Sequence, residues 1–310
     1  MANQNTRRCC EECAGGTEKS EMMVTCIGKA NLDISYQVDE VHFGENHVSF
    51  SVDFHLGGKA ANVSVALKKL GIQSQLIADI GNDPFGQRIT EELKTFGVIS
   101  LLKVKPAMTG FTFIVVESDG TNTMFNYPGA NLLLSSEDVS NFEKELLSSD
   151  IVFYQTGAGN HEEIIRYLKT LRKPIFLELS EVVEIDLLDE IDFASLNKQE
   201  ALNLTKERDI DRALEKLLSY GIKNIFLKLG EKGSVHASRQ GIISKGAFKI
   251  KPVDTTGAGY SFSAGCIYGI LHDFSVEKIL EFANKCAAIT CTRLGTVSAF
   301  PSIDEVEKLS

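Results

Sequence analysis

The chain has 310 residues, 43% of them hydrophobic, and a formal charge of −10 at pH 7. That length suits one large domain, or one domain with an appendage, and the acidic balance argues against a generic nucleic-acid or membrane-surface binder, because neither polyanion attracts an acidic protein. No run reaches the ~18 apolar residues that span a bilayer, and the opening MANQNTRRCC lacks the apolar segment of a signal peptide, so a soluble, cytoplasmic protein is expected.

Residues 1 to about 21 are polar and aperiodic and are expected to form a disordered N-terminal extension. Cys9, Cys10 and Cys13 cluster there, but no His or further Cys pair follows at ligand spacing, so a tail is favoured over a metal clip. The seven cysteines form no evenly spaced framework and read as reduced thiols. Met22 to Ile27, a short apolar run ending at Gly28, predicts a buried strand. Val48, Phe50, Val52, Phe54 and Leu56 then alternate with Ser49, Ser51, Asp53 and His55, which predicts a strand with one wet face.

Gly57-Gly58-Lys59 leads into a helix carrying Val63, Ala66, Leu67 and Leu70, with Gly71 as its stop. Asp83 and Pro84 predict the N-cap and first turn of another, closed by Gly97. Phe111 to Val116 and Thr123 to Tyr127 read as a hairpin turning at Asp119-Gly120. Strands are predicted at 151–154, 175–179, 191–196 and 224–229, with helical segments between them. That alternation implies a mostly parallel sheet covered on both faces, with ligands at the carboxyl ends of its strands. The half-exposed strands of about 33–56 and 109–127 form a small β lid on a single unit spanning residues 22–310.

The stretch Asp254 to Gly265, DTTGAGYSFSAG, holds the strongest chemical signal. Gly257, Ala258 and Gly259 precede a helical repeat of Phe262, Cys266 and Ile270. Small residues at a helix start let unpaired N–H groups converge where the helix dipole is positive, which makes an anion site. The chain contains no G-x-x-x-x-G-K-[ST], and Phe262 stands where a dinucleotide fingerprint needs its third glycine.

GGKAAN at 57–62, ADIGNDPFG at 78–86, NKQEA at 197–201, KLGEKG at 228–233 and DTTGAG at 254–259 occur in this order. Together they resemble the phosphofructokinase B (PfkB) family, the ribokinase-like sugar and nucleoside kinases, over about residues 23 to 301. The resemblance implies a ribokinase-like α/β fold with a lid and transfer of the ATP γ-phosphate, with Mg²⁺, to a hydroxymethyl group of a sugar or nucleoside. It gives Asp33, Gly57, Gly58, Lys59 and Asn62 to the acceptor. Gly257, Ala258 and Gly259 become the anion hole, and Asn197, Glu200, Lys228, Gly230, Gly233 and Asn284 the nucleotide side. Glu200 would meet Mg²⁺ through water, and Asp254, Thr256 and Gly295 resemble a loop that holds a monovalent cation such as K⁺ in some members. On spacing alone Asn197 and Glu200 equally form a helix-capping pattern. A homodimer paired through the lid is expected from its exposed edges.

Two departures stand out. Glu178-Leu179-Ser180 replaces an Asn- or Asp-containing polar motif, and Tyr260 stands where the family places its general base, an aspartate. A phenol with its unperturbed pKa of about 10 is ionised roughly once in a thousand at pH 7. Three readings follow: a slow kinase using another base, no base, or a phenol made acidic by neighbouring cations; a module that binds sugar or nucleotide without turnover; or an altered position in an otherwise ordinary kinase.

Overall fold

The computed structural model describes residues 21–42 and 44–309. The expected N-terminal extension, with Cys9, Cys10 and Cys13, lies outside the described residues except for Glu21 at its end. Strands in chain order are β1 (Met23–Ile27), β2 (Asn31–Val38), β3 (Ser51–Gly57), β4 (Gln73–Gly81), β5 (Ile99–Lys105), β6 (Phe111–Glu117), β7 (Asn122–Tyr127), β8 (Ile151–Gln155), β9 (Ile175–Glu178), β10 (Phe193–Asn197), β11 (Asn224–Lys228), β12 (Ser234–Ser238) and β13 (Gly241–Lys245). The helices are α1 (Lys59–Lys69), α2 (Pro84–Thr95), α3 (Ser136–Ser140), α4 (Glu143–Ser148), α5 (His161–Thr170), α6 (Lys198–Thr205), α7 (Ile210–Ser219), α8 (Ala258–Leu271), α9 (Val276–Cys291) and α10 (Ile303–Lys308).

The main sheet runs β13-β12-β11-β10-β9-β8-β1-β4-β5. Neighbours from β5 to β11 are parallel, and the hairpin β12-β13 closes that end antiparallel. Alternate residues of one strand feed opposite cores. Cys26 packs with Leu67 of α1, Phe262 of α8 and Leu280 of α9, whereas Ile27 packs with Leu168 of α5, Leu204 of α6 and Leu217 of α7. Helices on both faces of a mostly parallel sheet are what the strand–helix alternation anticipated, and with the lid they form the ribokinase-like α/β fold that the resemblance implies. Among the described residues no helix is long and apolar enough to cross a membrane.

Asp83 caps α2 by accepting from the Gly86 amide at 2.9 Å, as Asp-Pro predicts. It also accepts from the Thr109 amide at 2.7 Å and the Thr109 hydroxyl at 2.8 Å, which ties the helix start to the chain entering β6. One carboxylate therefore anchors the lid hinge. Asp83→Ala loses the cap and strands two partly buried donors, and is expected to lower stability by about 2 kcal/mol, read as a drop in denaturant midpoint at unchanged m-value.

The lid is a four-stranded sheet, β3-β2-β6-β7, built from the two expected pieces. Its hairpin turns at Gly120, with φ +89°. Register sorts its side chains into two faces. One carries the row His55, Asp33, Thr112, Asn126; the other carries Phe54, Ile34, Phe113, Phe125. Here the expectation of one wet face is corrected. Residues 48–50 precede the strand, and the apolar side of β3 is itself open: Val52 is 42% exposed and Phe54 47%. The reason is where α2 sits. Its Phe85 meets Phe111 at 5.6 Å, next to the hinge, and the face is closed at Ile34, 4% exposed, while its edge strand β3 stays open.

Candidate active site

The carboxyl ends of the parallel strands, the starts of α1 and α8, and the polar lid row supply the site. Gln155, at the end of β8, joins two of these parts: its Oε1 accepts from the Lys29 amide at 3.2 Å and the Ala60 amide at 3.3 Å. The Gly57-Gly58 pair then fixes the lid carboxylate. A Cβ on Gly57 would lie 2.2 Å from Asp33 Oδ2, so only a bare backbone leaves room for that group. Burial pushes the Asp33 carboxyl up to about 6, against the pull of the Thr112 hydroxyl and the charge of His55 opposite it. Asn62, in the first turn of α1, is 2% exposed and its Oδ1 has no partner among the described residues.

Lys59 Nζ donates to Ser180 Oγ at 2.7 Å and lies 3.4 Å from Glu200 Oε1. The other oxygen of Glu200 accepts from the Asn197 amide at 2.7 Å, and Asn197 Oδ1 accepts from the Glu200 amide at 2.9 Å. The capping pattern is thus real, and it leaves one carboxylate oxygen turned toward a lysine. Lys29, which sequence reasoning passed over, stands 3.7 Å from Glu181 on the same wall. Burial and the charge of Lys59 influence its ammonium, and its pKa is lowered.

At the start of α8, Gly257 is left-handed with φ +84°, and a Cβ there would press to 3.0 Å from both the Phe300 ring and the Thr296 methyl carbon. The turn spends one expected anion-hole amide: the Ala258 N–H donates to the Thr255 carbonyl at 3.3 Å. The amides of Gly257 and Gly259 have no partner among the described residues. Beside them runs Lys228, its Nζ 3.8 Å from where a Cβ on Gly259 would stand. Lys228 forms an ion pair with buried Glu178 Oε1. Glu178 Oε2 accepts from Ser263 Oγ at 2.7 Å, and Ser263 lies 3.0 Å from Ser195 Oγ. Glu178 is therefore a fully paired group under the cradle.

Tyr260 lies in the first turn of α8. Burial first, then the charges of Glu178, Asp33 and Glu200, push its phenol well above the ordinary range. A phenol made acidic by neighbouring cations is overturned by this setting, since the charges acting on it are carboxylates and Lys228 and Lys59 are paired with two of them. Neutral Tyr260 can donate a hydrogen bond, not take a proton.

The remaining sequence candidates sit farther along the strand ends. Gly230 and Gly233 bracket a single 3₁₀ turn after β11. Asn284 is buried on α9, and its amide donates to the Lys245 and Gly246 carbonyls at 3.3 and 3.2 Å. Asp254 accepts from the Thr256 amide at 2.9 Å and the Gly295 amide at 3.1 Å, which clamps the two loops of the anticipated cation site together. Among the described residues no three His, Cys, Asp or Glu side chains converge as a metal cage.

A profile of the family described as pfkB family carbohydrate kinase matches residues 22–303. Ribokinase of Staphylococcus aureus is 26% identical over 92% of this chain and 99% of its own. A crystal structure of ribokinase from Thermotoga maritima superposes with a TM-score of 0.85 at 28% identity, covering 93% of this chain and 98% of that one. The structure of Arabidopsis thaliana ribokinase complexed with ribose and ATP gives 0.82 at 27% identity, with the same coverage.

Proposed function

Because the chain belongs to the pfkB family of carbohydrate kinases, we propose that it binds ATP and a sugar or nucleoside and moves the γ-phosphoryl group onto a hydroxymethyl oxygen, at a rate held low by Tyr260. The observation that carries this reading is where lid and cradle meet. Asp33 from β2, Glu178 at the end of β9 and Glu200 in the first turn of α6 all act on one side chain in the first turn of α8. In this reading the cleft has an acceptor end, a phosphoryl end and residue 260 between them.

At the acceptor end, the ionised Asp33 takes hydrogen bonds from two neighbouring hydroxyls. Asn62 Oδ1, short of a donor, takes a third, and Lys59 adds a positive charge at the start of α1. Gly57 and Gly58 let the acceptor lie close to the backbone. At the phosphoryl end, the free amides of Gly257 and Gly259 and the Lys228 ammonium face the charge that builds on the transferring group, a contribution that dominates catalysis in loose phosphoryl transfer. Gly230, Gly233 and Asn284 shape the nucleotide's bed, Asn284 by holding the 245–246 backbone.

The donor set fits Mg²⁺ that arrives with ATP. Such an ion keeps several waters and needs no protein cage, and a carboxylate has lone pairs beyond those Glu200 uses toward Asn197 and Lys59. Bound there, magnesium would supply charge neutralisation on the phosphates, and Glu200 would accept a hydrogen bond from one of its waters. Asp254, Thr256 and Gly295 would serve K⁺ through loop oxygens, since both Asp254 oxygens are already held by amides. With Tyr260 protonated, the acceptor's proton leaves to solvent or to a phosphoryl oxygen as the new P–O bond forms and the bond to ADP breaks.

The same neutral phenol favours a second reading, a pseudokinase that binds without turnover. ATP-dependent formation of ADP and a phosphorylated product, followed by mass spectrometry across pentoses, hexoses and nucleosides, separates them. A slow but acceptor-dependent product supports the kinase. Binding of acceptor and ATP with no product supports the pseudokinase.

We place this unit in the cytoplasm, a reducing compartment that suits the free thiols of Cys26, Cys266, Cys286 and Cys291. It is proposed to pair as a homodimer through the lid's open apolar face. Phe54 and Phe125 stand on that face, 47% and 60% exposed, and contiguous apolar surface of this kind marks an interface. Phe54→Asp should convert dimer to monomer in sedimentation equilibrium with unchanged circular dichroism; a wild-type chain that already sediments as a monomer would remove the proposal.

A further inference from the structure

Of the carboxylates around Tyr260, two already have a cation each. Glu178 pairs with Lys228, and Glu200 has Lys59 at 3.4 Å. Asp33 stands on the lid, where the acceptor's hydroxyls occupy it. Residue 260 thus decides the charge beside the free amides of Gly257 and Gly259. A carboxylate in that place repels a phosphomonoester held by those amides, which helps a kinase discharge its product.

A neutral phenol does the opposite. Burial and three carboxylates, with no hydrogen bond to any of them, set the state of the Tyr260 phenol, and an O–H directed at a phosphate oxygen makes a strong, charge-assisted bond. An independent observation points to a polar ligand at the start of α1, the helix that packs on α8: Asn62 Oδ1, almost completely buried, lacks any donor among the described residues. A sugar or nucleoside hydroxyl supplies that donor while its phosphate reaches α8.

We propose that the cleft retains a phosphorylated acceptor, a sugar or nucleoside carrying a phosphomonoester on its primary alcohol, more tightly than the free alcohol, with Tyr260 and the Gly257 and Gly259 amides holding the phosphate. This rests on the acceptor-site reading above and names the form of ligand the site keeps. The chain then acts on the product side of a kinase reaction, as a holder of sugar phosphate.

Calorimetric titration of the full chain tests it with ribose and ribose 5-phosphate, fructose and fructose 6-phosphate, adenosine and AMP, and inorganic phosphate. Wild type is compared with Tyr260→Phe, which keeps the ring, and Tyr260→Asp. At least one ester is expected to bind wild type ~10-fold or more tightly than its parent alcohol and than inorganic phosphate, with that ester weakened ~10-fold or more by Tyr260→Asp and severalfold by Tyr260→Phe. Equal affinity for ester and parent, or an ester preference that survives Tyr260→Asp, overturns the inference and leaves the acceptor site standing. Inorganic phosphate binding as tightly as every ester overturns it too, reducing the site to one for anions. If neither alcohols nor esters bind, with or without a non-hydrolysable ATP analogue, the acceptor-site reading falls and the inference with it.

Discussion

Tyr260→Asp is expected to raise acceptor-dependent phosphorylation by ~10²–10⁴-fold, the usual contribution of a positioned general base. The site is ready for that carboxylate. Position 260 lies in the first turn of α8, where the helix dipole favours a negative charge, and the neighbouring Glu178 and Glu200 each have a lysine partner. The new aspartate is thus spared two full repulsions. It is also smaller than the phenol, which opens space for the attacking hydroxyl. ATP affinity should fall less than that of a bound phosphomonoester, because the repulsion reaches only the γ-phosphate end while Lys228 and the 3₁₀ turn are untouched. The gain therefore belongs in kcat, measured by ADP release with the acceptor saturating. Equal, substantial activity in both proteins would show that residue 260 carries no proton in this chain, and the proposed cause of slow turnover would be wrong.

How much of this was legible in the sequence depends on whether a signal is local. The Asp83-Pro84 start of α2, the Gly71 stop of α1 and the turn at Gly120 are backbone chemistry, and each was readable. The hairpin β12-β13 was not, because SVHAS and GIISK are short and half polar and owe their place to pairing with β11. The open face of β3 was misread for a related reason. Alternation reveals two faces but not which one a distant helix covers, and the edge strand β3 stays open. Within the site, Asp33, Lys59, Asn62 and the glycines stood in motifs. Lys29 and His55 did not, and they enter through topology: Lys29 by lying along the wall with Lys59, His55 by standing opposite Asp33 in the lid register. Glu178 was visible only as a departure, since its partners Lys228 and Ser263 are 50 and 85 residues away.

Asp33 gives the second large effect. Two charge-assisted hydrogen bonds to acceptor hydroxyls, each contributing ~1.5–3 kcal/mol, make Asp33→Asn weaken acceptor binding by ~10²-fold or more. Gly57→Ala should do nearly the same without touching the carboxylate chemically. Gly57 does not have the positive φ of its neighbour Gly58, so alanine brings no backbone strain, only a methyl 2.2 Å from where Asp33 Oδ2 lies. The carboxylate must move, and the grip is lost. Affinity of the wild type should also rise with pH through about 6, where the Asp33 carboxyl ionises.

Stability must run the other way. The folded pKa lies above the unfolded value of 3.8, so the native state holds the proton longer. The contribution of Asp33 is then least unfavourable below about pH 4, worsens up to about 6 and stays constant above it. Asp33→Asn, relieved of the buried charge, should melt higher than wild type above pH 6 while failing to bind. A carboxylate that costs stability where it binds is what a ligand site predicts; a variant that melts lower yet binds normally would make Asp33 a structural residue and remove the acceptor end of the cleft.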